Sequence, residues 1–294
     1  MTNLNLTQLT NKTYIRNYLK NNNLFLRKKL GQNFLICPES IKTLVEQLEL
    51  TPQDIIIEIG PGLGTVTCEL IKRVTKLIAI ELDRKLAMLL KENFSQFNNL
   101  DVLHHDAMKI DFQNLIAEIQ NNIPGKRGIK IFSNLPYNIA TSFIIKLLEK
   151  NFPIERMVFT IQKELMERFT ATPKNKNYAA SSVILQSSVD ITFIKNISKE
   201  KFFPVPKVES SIILLQANYI LKNNNILNKV SFFNFIKNSF AHKRKTLYNS
   251  LFISSTFDEQ KLKTALQSCK IDIRTRAEEL SLEVLIQLYK ILYR

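Results

Sequence analysis

Ile55–Gly64 reads IIIEIGPGLG, an apolar run that ends in an acid and breaks at once into alternating glycines. Ile55, Ile56, Ile57 and Ile59 make the continuous apolar run expected of a strand buried on both faces of a parallel sheet. Gly60, Gly62 and Gly64 then predict a tight turn, and a backbone without Cβ atoms admits close approach of a ligand. Thr65–Arg73 has helical spacing, so the unit reads strand, glycine loop, helix N-terminus, the layout that seats a nucleotide or nucleoside.

Glycine spacing discriminates among such ligands. A dinucleotide fingerprint places its third glycine three residues after the second, but that position is Thr65 and the third glycine is Gly64. The pattern is instead Glu58-x-Gly60-x-Gly62-x-Gly64, followed by Glu81 at the end of a second apolar run, LIAIELD. A carboxylate there accepts the two hydroxyls of a ribose. The combination resembles the S-adenosylmethionine loop of the Rossmann-like methyltransferases. On the loop alone, a structural turn or another nucleotide stays open.

Upstream, residues 1–23 are polar and asparagine-rich, and a flexible tail over 1–25, or one weak helix, is expected. Arg27-Lys28-Lys29-Leu30-Gly31-Gln32-Asn33-Phe34-Leu35 follows, either a phosphate-binding arm beside a pocket wall or a solvated charge run. Pro38–Leu50 has helical spacing.

Downstream, Lys76–Glu81 reads as a strand, Arg84–Phe94 as a helix, and Leu100–His105 as a strand ending at Asp106. Asp106 either accepts an adenine amino group at the same sheet edge as Gly60 and Glu81 or caps a helix over Lys109–Ile119. Lys130–Ser133 is a further strand and runs into Asn134-Leu135-Pro136-Tyr137. An exocyclic aromatic amine is a weak nucleophile because its lone pair is delocalised. An amide oxygen and a rigid backbone carbonyl hold both its protons and aim the lone pair at a methyl donor. Pro136 stiffens that backbone and Tyr137 offers a ring for stacking. The competing reading is an Asn-x-Pro turn before the Ala140–Lys150 helix.

Arg156–Gln162 is a strand and Lys163–Thr170 a helix. Thr172–Tyr178 (TPKNKNY) is a basic loop. Asp190–Ile197 and Val208–Gln216 suit the antiparallel closing strands of a methyltransferase sheet. Between them, FFPVPKV holds an aromatic rigidly before two prolines, either to close on a base opposite Tyr137 or to pack at a domain edge. Asn218–Asn228 is the natural linker, and the rest is helical, with a basic start at His242-Lys243-Arg244-Lys245.

Composition narrows the class. The chain has 294 residues, 45% of them hydrophobic, and no apolar run approaches the roughly 20 residues of a membrane span. Cys37, Cys68 and Cys269 are far apart, so neither a metal site nor a disulfide framework is expected. A formal charge of +15 favours a polyanionic partner, although a lysine-rich composition accounts for part of it. The excess sits at the ends: six basic residues and no acid precede Glu39, and fifteen basic against seven acidic residues follow from Lys201 onward.

Nine segments in order, RKKLGQNFL, EIGPGLG, IELD, HDAMKIDF, NLPYNIATSFI, QKEL, FFPVPKVESS, HKRKTLYNSL and RTRAEELS, make the chain similar to the rRNA adenine dimethyltransferase family. The resemblance implies a Rossmann-like class I methyltransferase domain over 26–217, with a seven-stranded, mostly parallel sheet. A small all-helical, basic RNA-binding domain over 218–294 is implied beside it. It implies S-adenosylmethionine bound by Asn33, Leu35, Gly60, Glu81, Asp106 and Asn134, with no metal. Asn134, Leu135, Pro136 and Tyr137 would handle the target adenine, and Phe202, the aromatic of FxPxPKV, would supply the second stacking ring. The implied activity is dimethylation of two adjacent adenines near the end of 16S rRNA in a 30S precursor, by a cytoplasmic monomer. A resistance-type enzyme acting on one adenine of 23S rRNA and a non-catalytic RNA-binding relative are the alternatives.

Overall fold

The computed structural model describes residues 5–27, 30–123, 128–150, 153–254 and 257–293. Helices α1 (Leu6–Leu9) and α2 (Lys12–Asn21) come first, then strand β1 (Phe34–Leu35) and helix α3 (Pro38–Gln47). Strands and helices then alternate: β2 (Ile55–Ile59), α4 (Thr67–Leu70), β3 (Lys76–Glu81), α5 (Arg84–Asn93), β4 (Leu100–His104), α6 (Phe112–Asn122), β5 (Ile129–Asn134), α7 (Ala140–Leu148), β6 (Ile154–Gln162) and α8 (Lys163–Phe169). After α9 (Ala180–Gln186) come β7 (Val189–Ile197), β8 (Phe202–Phe203) and β9 (Ser210–Ala217). Helices α10 (Ile220–Asn223), α11 (Lys229–Ser239), α12 (Leu247–Ser254), α13 (Glu259–Ser268) and α14 (Leu282–Leu292) follow. None of the described helices is long and apolar enough to cross a membrane.

The seven-stranded sheet has the order β4-β3-β2-β5-β6-β9-β7. Strands β4 through β6 pair in parallel, and β9 runs antiparallel to β6. Every residue of β2 is buried, as its isoleucine run requires. The chain winds outward from β2 through β3 and β4, then returns to lay β5 on the other side of β2. Such a reversal opens a crevice beyond the carboxyl ends of the two central strands, where open α/β sheets bind ligands. Gly60 and Asn134 stand at those two ends. The mostly parallel seven-stranded sheet and the helical C-terminal region expected from the family resemblance are both present.

Contacts group the chain into two compact units. The first comprises Met1–Leu147, Phe152–Lys163 and Thr192–Gln216; the second comprises Leu148–Asn151, Glu164–Ile191 and Ala217–Arg294. The basic loop Thr172–Tyr178 therefore clusters with the C-terminal helices. Lys174 N–H donates to the Glu278 carbonyl at 2.8 Å and the Tyr178 hydroxyl to the Leu280 carbonyl at 3.2 Å. Phe232, Phe235 and Tyr289 pack edge-on or tilted, with centroids 5.2–6.4 Å apart, at the centre of that unit.

Over the described residues 5–25 the structure shows two short helices in place of the expected flexible tail or single weak helix. Asn5 and Asn11 cap α1 and α2 by accepting from the Gln8 and Tyr14 N–H groups. Leu9, Ile15, Leu19 and Leu24 are buried in one cluster with Leu63, Leu86, Leu90 and Phe94. The Tyr18 hydroxyl bonds to Asn93, and Lys85 Nζ donates to the Asn23 carbonyl at 3.1 Å. The asparagines that make the segment look disordered serve as caps and an outer face, while a sparse apolar stripe does the packing. Lys28 and Lys29 of the expected basic arm lie outside the described residues.

Ile15 is fully buried, so Ile15→Ala is expected to cost about 2–4 kcal/mol of unfolding free energy. Urea denaturation checks this; an unchanged midpoint would mean the helices are not part of the cooperative fold.

Candidate active site

A pocket at the carboxyl ends of β2, β3 and β5 is lined by Asn33, Leu35, Gly60, Glu81, Asp106 and Asn134, which places all the cofactor-binding candidates around one space. Gly60 and Gly62 both take left-handed backbone angles, φ +66° and +60°. A Cβ at Gly62 would stand 2.7 Å from Phe34 Cε1, so the loop and β1 touch there through glycine alone. At Gly60 a Cβ would meet no protein atom within 4 Å. That side of Gly60, a residue that lines the pocket, is open space.

Glu81 closes the loop onto β3. Its Oε2 accepts the Gly62 N–H at 3.0 Å and its Oε1 the Asp83 N–H at 2.9 Å. Burial pushes this carboxyl above the usual range, and the backbone donors pull it partly back. Asp106 lines the pocket, with its Oδ1 accepting the Met108 N–H at 2.8 Å, and the cap of α6 is Asp111 instead. Helix α6 accordingly begins at Phe112, later than the Lys109 start expected.

Asn134 ends β5, and its Nδ2 donates to the Asn33 carbonyl at 2.7 Å. That bond fixes which end of the amide is the acceptor. The Leu135 N–H is tied to the Thr160 carbonyl at 3.1 Å, and Pro136 O accepts the Ile139 N–H, so the turn is held on both sides of the Leu135 carbonyl. Leu135 itself is buried, whereas Pro136 lines the pocket. Tyr137 is half-buried with its hydroxyl 2.9 Å from Ser210 Oγ, which anchors the ring; burial raises its phenol above the ordinary value.

Phe202 does not occupy the expected stacking position. Strand β8 pairs antiparallel with β1, Phe202 opposite Leu35 and Phe203 opposite Phe34. Successive side chains of a strand point to opposite faces. Phe202 and Leu35 therefore enter one apolar cluster with Ile41 and Phe132, while Phe203 packs beside Phe34 against the other. With 1% of its surface exposed, Phe202 has no free ring face for a base in this conformation.

A profile of the ribosomal RNA adenine dimethylase family matches residues 21–294. The chain belongs to the ribosomal RNA adenine dimethylase family. It is 34% identical over 285 residues to the ribosomal RNA small subunit methyltransferase A of Natranaerobius thermophilus, covering 94% of each chain. The protein of the same name from Clostridium botulinum is 37% identical over 260 residues, 87% of this chain and 90% of that one. A dimethyladenosine transferase from Plasmodium falciparum, at 23% identity, superimposes with a TM-score of 0.69 over 86% of this chain and 94% of that one, which shows a shared fold. The family and class of enzyme expected from the nine motifs are thereby met, and the family is one of S-adenosylmethionine-dependent methyltransferases.

One pocket residue of this family member was noted in the sequence only as part of the loop pattern. Glu58 is 1% exposed, lines the pocket, and accepts the Thr67 hydroxyl at 2.7 Å. Its signal in the sequence is an acid inside an otherwise apolar strand, which must be neutral, paired or facing a ligand. Burial, with a smaller push from Glu81, raises its carboxyl to about 8. A carboxyl raised on folding keeps a proton that the unfolded chain releases. Its contribution to stability is fully present below about 4.5 and is lost as pH rises through about 8. Unfolding free energy is therefore expected to fall over that interval by roughly 3–5 kcal/mol. Glu58→Gln should remove most of the slope, leaving the part due to Glu81; a variant with the wild-type slope in a pH series of urea titrations would show that Glu58 is ionised throughout.

Proposed function

We infer that this chain transfers methyl groups from S-adenosylmethionine to the N6 amines of two adjacent adenines near the 3′ end of 16S rRNA, in a 30S precursor, during small-subunit biogenesis. The observation that carries the reading is the single pocket in which the glycine loop, Glu81 and Asp106 meet Asn134 and Pro136.

The residues present fit the cofactor. Gly60 leaves open the space a Cβ would fill, and Glu81, with one backbone donor on each oxygen, keeps lone pairs for the ribose hydroxyls. Asp106 is the acceptor for the adenine amine, and Asn33, Leu35 and Asn134 border the methionine end. When bound, S-adenosylmethionine supplies a methyl group on a positively charged sulfur. Asn134 Oδ1 and the Leu135 carbonyl accept the two protons of the target amine and direct its lone pair, so rate comes from orientation and electrostatics without a general base. Pro136 stiffens the turn. The Tyr137 ring, held by Ser210, stacks on the flipped base, a contact worth about 1–3 kcal/mol. Phe202 acts from beneath by packing Leu35 into place.

The second unit supports a ribonucleoprotein substrate. Arg168, Lys176, His242, Lys243, Lys245 and Arg276 line a cleft of about 520 Å³ within it, so basic segments far apart in sequence share one surface suited to a phosphate backbone. We assign RNA binding to this helical unit and a monomeric, cytoplasmic state to the protein. The small-subunit substrate is favoured over a single adenine of 23S rRNA by the names of the curated relatives and by NLPY with FxPxPKV. A complete pocket favours an enzyme over a non-catalytic binder.

Methyl transfer from labelled S-adenosylmethionine to unmodified 30S particles, and separately to protein-free 23S rRNA, tests the reading once modified bases are mapped. Dimethylation of paired adenines in the 30S particle is expected; labelling confined to 23S rRNA overturns it. Asn134→Ala should lower the transfer rate by about 10²–10³ or more with RNA affinity nearly intact, and equal loss of both would remove the role assigned to Asn134.

A further inference from the structure

Leu30–Asn33 forms one wall of the pocket, and its fastening continues to the cofactor-binding carboxylate. On one side Asn134 Nδ2 holds the Asn33 carbonyl, and a Cβ at Gly31 would stand 3.1 Å from Pro136 Cβ. On the other side the Gln32 side chain makes a bridge. Its Oε1 accepts the Arg27 N–H at 2.7 Å, and its Nε2 donates to Asp83 Oδ2 at 3.3 Å. Asp83 carries the connection on. Its Oδ1 accepts from the Lys85 and Leu86 N–H groups at the start of α5, and its own N–H donates to Glu81 Oε1.

Asp83 is 5% exposed, and a buried carboxylate needs donors on both oxygens. Backbone groups satisfy Oδ1. Toward Oδ2 point the Gln32 amide and the Arg27 guanidinium, the latter 3.7 Å away on a side chain 67% exposed, where water competes for it. Gln32 is thus the inward-facing donor that fixes the orientation of Asp83, and the Asp83 N–H in turn fixes one oxygen of Glu81.

We propose that Gln32 is a positioning residue of the cofactor site, setting the grip of Glu81 on the ribose through Asp83. The proposal rests on reading the pocket as an S-adenosylmethionine site. It differs from a merely structural role because the effect should appear in cofactor affinity and should depend on the charge placed opposite Asp83.

The test uses the full chain, with S-adenosylhomocysteine binding followed by calorimetry and methylation kinetics measured on 30S particles. Gln32→Ala should raise the dissociation constant about tenfold, and KM for S-adenosylmethionine by a similar factor, with a far smaller fall in kcat because the Asn134 side of the wall is untouched. Gln32→Glu sets a second carboxylate against Asp83. Arg27, Glu81 and Lys85 are the other charged groups beside it, and Glu58, His105 and Asp106 lie around the same pocket. Two facing carboxylates share a proton at raised pH, and the protonated pair restores the donor that the amide supplied. Gln32→Glu should therefore bind more weakly than Gln32→Ala at pH about 8 and recover toward wild type near pH about 5.5, while Gln32→Ala shows no such recovery relative to wild type. Wild-type affinity in both variants overturns the proposal, as does a loss in Gln32→Glu that no change of pH relieves. Absence of S-adenosylhomocysteine binding by the wild-type chain would instead overturn the cofactor reading itself.

Discussion

The Glu81 carboxylate, held by the Gly62 N–H on one oxygen and the Asp83 N–H on the other, joins the two halves of the pocket. The loop after β2 and the turn after β3 are separate excursions of the chain, and these bonds make them one rigid rim. The arrangement costs desolvation of a carboxylate, which shows as its raised pKa, and the two backbone donors offset part of that cost. A preformed rim spares the ligand the work of ordering it.

Glycine is what lets the rim sit where it does. Phe34 of β1 lies against Gly62 at a distance no Cβ permits, so the short β1–β8 ribbon can pack directly on the loop. That ribbon divides its aromatic pair between two apolar clusters, and the N-terminal helices complete the cluster that also receives Leu63 of the loop. Sequence segments that border the site are thereby also parts of the core.

The sheet, the glycine loop, Glu81 and the Asn134 turn were legible because each rests on a local rule: apolar run, positive φ, strand-end acid, rigid turn. The N-terminal helices were not, since Leu9, Ile15 and Leu19 are a thin stripe among asparagines, and only contact with Leu86, Leu90 and Phe94 makes them helices worth forming. The direction of Phe202 was hidden for a different reason. A motif says that an aromatic is present, but which of two consecutive strand residues faces the core depends on pairing register with Leu35 and Phe34, which lie far away in sequence. The same holds for the grouping of Thr172–Tyr178 with the C-terminal helices, which hydrogen bonds from Lys174 and Tyr178 to the 278–280 segment establish.

Glu58 shows how much of this site is set by what the core tolerates. In the middle of a strand whose other residues are isoleucine, an ionised carboxylate would need a partner, and the described neighbours offer one hydroxyl, from Thr67, and a second acid, Glu81. Protonation satisfies the core without a counterion. An apolar residue of similar size would do so more cheaply, so the acid carries a stability cost that packing does not require. Acids held at raised pKa beside a pocket are a recurrent sign of a site organised for chemistry. The opposite end of β2 and β5 is treated differently: there Lys130 Nζ bonds to Asp54 at 2.7 Å and to the Glu49 carbonyl at 2.6 Å, so a buried charge is paired, and removing either partner would leave the other uncompensated. The two ends of the central strands thus differ: one closes a buried charge with a counterion, the other opens into a pocket lined by Glu58, Gly60 and Asn134.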